Sequence, residues 1–204
     1  MEKLFSRRNV LKVLPFFSLL ILLLSIAISI SLYFKYDFFN QYLSELGVGP
    51  TSIIFNSGLI ISALLLIPFF FSSLLHKSFL KQTGSILGIA AMISLAGIGI
   101  FPIPNYPHHL ITAFMFFFAS ALAIIFFSVD YFVEALKRAT AKVSAVKGAK
   151  RSKYFFIGFG VFGLAVAAYA FCFLFLFMEP LPQKICVSAI MIWVFIKAFV
   201  ELKR

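Results

Sequence analysis

TSIIFNSGLIISALLLIPFFFSSLL, residues 51–75, runs for 25 residues without one charged side chain. A helix needs about 20 consecutive apolar residues to cross the hydrocarbon core of a bilayer, because lipid offers no partner to an unpaired backbone N–H or C=O. The run shows no alternation of period two, so it does not read as a strand of a membrane β-barrel. Pro50 and Thr51 suit a helix start, and Pro68 predicts a kink in the second half.

Five more long, mainly apolar runs flank it, over 11–34, 84–101, 108–136, 154–178 and 183–200. With 62% hydrophobic and 12% charged residues, the chain lies outside the range of soluble domains. The sequence therefore reads as all-α: a polytopic membrane protein with one membrane domain over 1–204, a bundle of six transmembrane helices. The first run follows the basic stretch MEKLFSRRNVLK and superficially resembles a secretory signal. It is too long for one and no small-x-small cleavage site follows, so it counts as a membrane helix. The helix over 84–101 is rich in Gly, Ala and Ser, which lets neighbours approach closely and places it at the centre.

The connections are read from their polar residues. A loop over 35–50 is expected to form a short amphipathic or re-entrant piece. HKSFLKQTG, before the third helix, reads as a basic turn, and PIPNYPHH, with its prolines, as an ordered non-helical turn. Residues 137–153 carry seven basic side chains and read as a solvated loop.

The formal charge of +11 is sorted by loop. With the N-terminus cytoplasmic, that side receives 16 of the 18 Lys and Arg residues, leaving Lys35 and Lys184 outside. By the positive-inside rule both termini are expected to be cytoplasmic, and the membrane is expected to be the plasma membrane. The charge then marks topology and a contact with anionic lipid at the basic face, not a nucleic-acid partner.

This topology gathers Ser44, Glu45, Asn56, His108, His109 and Glu179 at the outer face, from three separate connections. Polar groups at membrane depth are costly and usually face a bundle interior or a wet cavity. The economical reading is a shared outer-leaflet polar pocket, closed by the 35–50 loop and lined by helices 2, 3, 4 and 6, that binds the head group of a lipid or polyisoprenoid. One alternative is a metal-assisted lipid hydrolase or transferase, weakened because His108 and His109 point about 100° apart on a helix. Another is an accessory subunit docking on a membrane protein partner. A third reading keeps each group local: Glu45 capping the loop or pairing with Lys35, Glu179 pairing with Lys184, Asn56 bonding across helices.

No Gly-x-Ser-x-Gly elbow, HExxH pair, Walker loop or CxxC occurs. Cys172 and Cys186 lack a metal-type neighbour and read as small apolar residues. The expectation is a binding protein without a cofactor or metal and without a covalent catalytic cycle.

The run YLSELGVGPTSIIFNSGLIISALLL resembles the "Ser-Asp/Glu-Leu-Gly … Phe-Asn-x-Gly-Leu" signature of the six-helix DUF998 proteins, a family similar to the Frag1/DRAM/Sfk1 group. GIGIFPIPNYPHHLITAFMFF resembles that family's segment between helices 3 and 4. MEPLPQKICVSAIMIWVF is similar to its junction of helices 5 and 6, where a Glu is often followed by Arg; here Pro180 follows Glu179. The resemblance covers nearly the whole chain. It implies a six-helix membrane fold, signature positions at the six polar residues named above, and, through the wider group, a role in membrane-lipid biology.

Overall fold

The structure is a computed structural model that describes residues 7–140 and 147–202. Helix α1 covers Arg7–Leu32, α2 Ser52–Leu74, α3 Phe79–Ile100, α4 His108–Thr140, α5 Lys147–Cys172 and α6 Pro180–Leu202. All six are long and apolar enough to cross a membrane, and the described residues contain no strand. This is the all-α, multi-pass bundle expected.

Several boundaries differ from the sequence reading, each for a local reason. α3 begins at Phe79, not at Gly84, because the polar residues of HKSFLKQTG have a partner on α4. Ser78 donates a hydrogen bond of 2.6 Å to Asp130, and the Lys81 ammonium lies 3.7 Å from the same carboxylate. α6 starts at Pro180, whose missing N–H is harmless in a first helical turn. The stretch 137–153, read as a loop, is helical up to Thr140 and again from Lys147; residues 141–146 lie outside the described part. α5 widens at its end into a π-helical turn over Phe173–Phe177, closed by Met178 N–H donating to Phe173 C=O at 3.1 Å.

The helices from α1 to α5 each pack on the next in the chain, and α6 returns between α5 and α1 to close the ring. The connections 33–51, 101–107 and 178–179 share one end of the bundle, called the upper end below. α1 and α2 approach most closely through small polar residues. Ser18 and Ser62 are fully buried, and each hydroxyl donates to the other's carbonyl, at 2.8 and 3.0 Å. A methyl group on Gly58 would stand 2.2 Å from the Ser25 hydroxyl, so glycine is required for this spacing. Between α2 and α3, Gly99 lies directly against the Asn56 carbonyl, 2.7 Å from where its Cβ would be. α3, wedged between α2 and α4, thus uses its small residues for close approach as the sequence implies, but as one member of the ring and not at its centre.

α6 stands farther off and fills the gap with large side chains. The Trp193 ring lies 5.8 Å from both Phe127 and Phe159. Lys197 is fully buried, with its ammonium 4.0 Å from the centre of the Phe127 ring, 5.0 Å from Phe69 and 3.6 Å from the Glu201 carboxylate. Aromatic faces and a carboxylate make such burial tolerable. The outward faces carry exposed apolar side chains such as Ile53, Phe71, Phe79 and Leu176, the surface that lipid tails would cover.

Candidate functional site: a capped cavity at the upper end

The cap is built from the 33–51 connection. Asp37 starts it by accepting from the backbone N–H groups of Phe39 and Asn40 at 2.9 and 3.2 Å, and from the Asn40 side chain at 2.8 Å. The Asn40 side chain, then those two N–H groups, hold the Asp37 carboxyl below its ordinary value. Tyr36 behind it is half-buried; that burial, then the charges of Glu45 and Asp37, push its hydroxyl up to about 12. A short 3-10 helix, Leu43–Gly47, follows where an amphipathic or re-entrant piece was expected. Glu45 folds back to accept the Tyr42 N–H at 2.8 Å. Asn56, from the second turn of α2, donates to the Gly47 carbonyl at 2.9 Å. Leu46 between these anchors is fully buried.

The start of α6 then straps the cap from the other side. Gln183 accepts the Leu43 N–H at 2.9 Å through its side-chain oxygen. The buried Lys184 ammonium donates to the Gln41 carbonyl at 2.5 Å and to Pro180 C=O at 3.3 Å, above the rings of Phe38 and Tyr36. The Tyr42 hydroxyl donates to Met178 C=O at 2.5 Å. Three successive cap residues, 41 to 43, are therefore tied to the α5–α6 junction, about 140 residues away in the chain.

Beneath the cap lies a central cavity of about 80 Å³. Its walls are almost wholly apolar, with Leu22, Phe55, Leu59, Leu95 and Phe116 among them; polar groups come only from Ser44, His109 and Gln183. α1 contributes Leu19, Leu22 and Ile26, so five helices line it, α1 beside the four expected. A second cavity of about 320 Å³ lies beside it, between α4, the π-helical end of α5 and the upper loops. Its residues Tyr106, Leu110 and Met178 are exposed, so it opens at the surface. The two cavities share one wall: Ser44, His109, Ala113, Phe117 and Gln183.

Of the six residues singled out from sequence, the structure brings Ser44 and His109 to this wall. Glu45 and Asn56 act one layer above, holding the cap. His108 is exposed and stacks on Phe101 at 5.3 Å, while His109 turns inward with Nδ1 2.8 Å from the Phe101 carbonyl. Glu179 is exposed, and Lys184, its expected partner, faces the cap instead. Gln183 escaped the sequence reading. Its signal was a polar residue in the first turn of an otherwise apolar helix, hidden among the prolines of the junction. Among the described residues, no three His, Cys, Asp or Glu side chains come together in a way that could hold a metal ion.

Six apolar helices with a capped internal cavity define a multi-pass membrane protein. The chain belongs to the family described as protein of unknown function (DUF998), whose sequence profile matches residues 17–200. That span runs from α1 through the cap to the end of α6 and so includes every residue of the candidate site. Neither the curated proteins nor the solved structures contain a match to the chain.

Proposed function

We propose that this protein binds and handles a lipid or polyisoprenoid, holding its head group at Ser44, His109 and Gln183 and its apolar chain in the side cavity of about 320 Å³ that opens beside them. The observation that carries the reading is a pair of apolar cavities at a strapped cap, with Ser44, His109 and Gln183 collected on the wall they share. An amphiphile matches that division, since its chain gains about 0.8 kcal/mol per CH₂ removed from water and its head keeps hydrogen-bond partners. The resemblance to the Frag1/DRAM/Sfk1 group supports a role in lipid biology. The charge distribution supports the upper end as the outer face of the plasma membrane, with both termini cytoplasmic and the basic face on anionic lipid.

The test is mass spectrometry of the protein released from mild detergent, beside Ala113→Phe, which fills the shared wall. A defined lipid on the wild-type protein and its loss from the variant, at unchanged thermal unfolding, is the expected result. Absence of retained lipid from the wild type, or equal retention by the variant, would overturn it.

A further inference from the structure

We infer that the head group taken at this rim is uncharged and hydroxyl-bearing, that of a long-chain or polyisoprenoid alcohol or a diglyceride, and that the lipid arrives sideways through the cavity beside α4. The inference rests on the lipid reading above and adds the chemistry of the ligand and its route.

The chemistry follows from which atoms are already committed. The Phe101 carbonyl can only accept, so the 2.8 Å contact places a hydrogen of His109 on Nδ1, and in the neutral imidazole Nε2 is then the acceptor. Gln183 spends its oxygen on the Leu43 N–H, which leaves its NH₂ group to donate. Ser44 adds a hydroxyl that does either. The shared wall thus offers one acceptor, one donor group and one hydroxyl, a set that a hydroxyl head group satisfies by donating to His109 and accepting from Gln183.

A carboxylate or phosphate would need a cation in these walls, because a buried charge without a partner is strongly disfavoured. Neither cavity is lined by Lys, Arg, Asp or Glu, and His109 is the one side chain of the shared wall that could carry a positive charge. Of the charged residues of the upper end, Lys184 is engaged on the Gln41 and Pro180 carbonyls, Glu45 on the Tyr42 N–H and Asp37 on Asn40, while Lys35 and Glu179 are exposed and line neither cavity. The route follows from the side cavity, which opens beside exposed Tyr106, Leu110 and Met178 and meets the central one at Ala113, the smallest side chain of the shared wall.

Three photoreactive probes with one diazirine-bearing hexadecyl chain and different heads, an alcohol, a carboxylic acid and a phosphate monoester, test this on the full-length protein in lipid nanodiscs. The alcohol is expected to label most strongly, on peptides of α4 and the end of α5, and Ala113→Phe to suppress it. Gln183→Glu keeps an oxygen for Leu43 N–H but exchanges the NH₂ donor for an acceptor, so alcohol labelling should fall about fivefold, with thermal unfolding lowered by the added carboxylate. Should that variant fail to fold, Ser44→Ala takes its place with a decrease in the same direction. Equal or stronger labelling by the acid or the phosphate, or alcohol labelling indifferent to the rim variant that folds, would overturn the head-group assignment and leave lipid binding standing. Labelling confined to the outer, lipid-facing helix surfaces with all three probes would overturn both.

Discussion

Asn56 and Gly47 fit each other so closely that a methyl group on Gly47 would stand 2.5 Å from the Asn56 side-chain oxygen, while the amide of Asn56 donates to the Gly47 carbonyl at 2.9 Å. The cap therefore docks on α2 through a contact that only glycine permits. Gly47→Ala should displace Asn56 from the carbonyl, and Asn56→Ala should leave that carbonyl without its donor. Each is expected to cost about 1–2 kcal/mol in thermal unfolding. Because both break one contact, the double variant should lose clearly less than the sum of the two. Strict additivity would show that the residues act separately.

The strap from α6 makes a second prediction. Lys184→Met keeps an unbranched apolar side chain and removes the ammonium that lies over Phe38 and Tyr36 and donates to Gln41 C=O. Hydrogen bonds from charged donors contribute about 1.5–3 kcal/mol, so the cap should open more often. Amide hydrogen exchange at Leu43, whose N–H is held by the neighbouring Gln183, is expected to accelerate while α3 exchanges as before. Unchanged protection at Leu43 would mean that Gln183 and Tyr42 hold the cap without Lys184.

Between α1 and α2 the structure predicts an order of effects. Replacing Ser18 and Ser62 by Ala removes a reciprocal pair of hydrogen bonds, but such bonds between membrane helices contribute only about 0.6 kcal/mol each. Gly58→Val drives a side chain into Ser25 and forces the helices apart, losing contacts along their whole interface. Unfolding in detergent should therefore rank Gly58→Val as more damaging than the double serine variant. The reverse order would place the stability of this interface in its polar bonds.

These contacts show what the sequence could and could not carry. The six helices were legible because a span is a property of composition: a run such as 51–75 has no other stable form in a bilayer. The polar end was legible too, since Ser44, Glu45, Asn56 and His109 stand out against apolar surroundings. Their division of labour was not, because it depends on partners far away in the chain. Glu45 and Asn56 look like ligand groups until Tyr42 N–H and Gly47 C=O take them up. Gln183 looks like a turn residue until the cap folds onto it from 140 positions upstream. Lys197 counts as a basic-side charge in sequence and lies in an aromatic cage in the fold.

The Tyr36 hydroxyl supplies a test by pH. Its ionisation stands at about 12 in the folded protein against 10 for the free side chain, mainly because the cap half-buries it, with Glu45 and Asp37 adding negative charge nearby. A raised value means that the fold favours the neutral phenol. Its stabilising contribution is thus complete below pH 10, shrinks as pH rises from 10 to 12, and is gone above that. Tyrosinate absorbance of the wild type minus that of Tyr36→Phe should isolate one ionisation near 12, and the wild type should lose stability relative to the variant across that window. A difference step near 10 with parallel stability curves would show that the cap does not close over Tyr36 in solution, and the strapped geometry that roofs the cavity would fall with it.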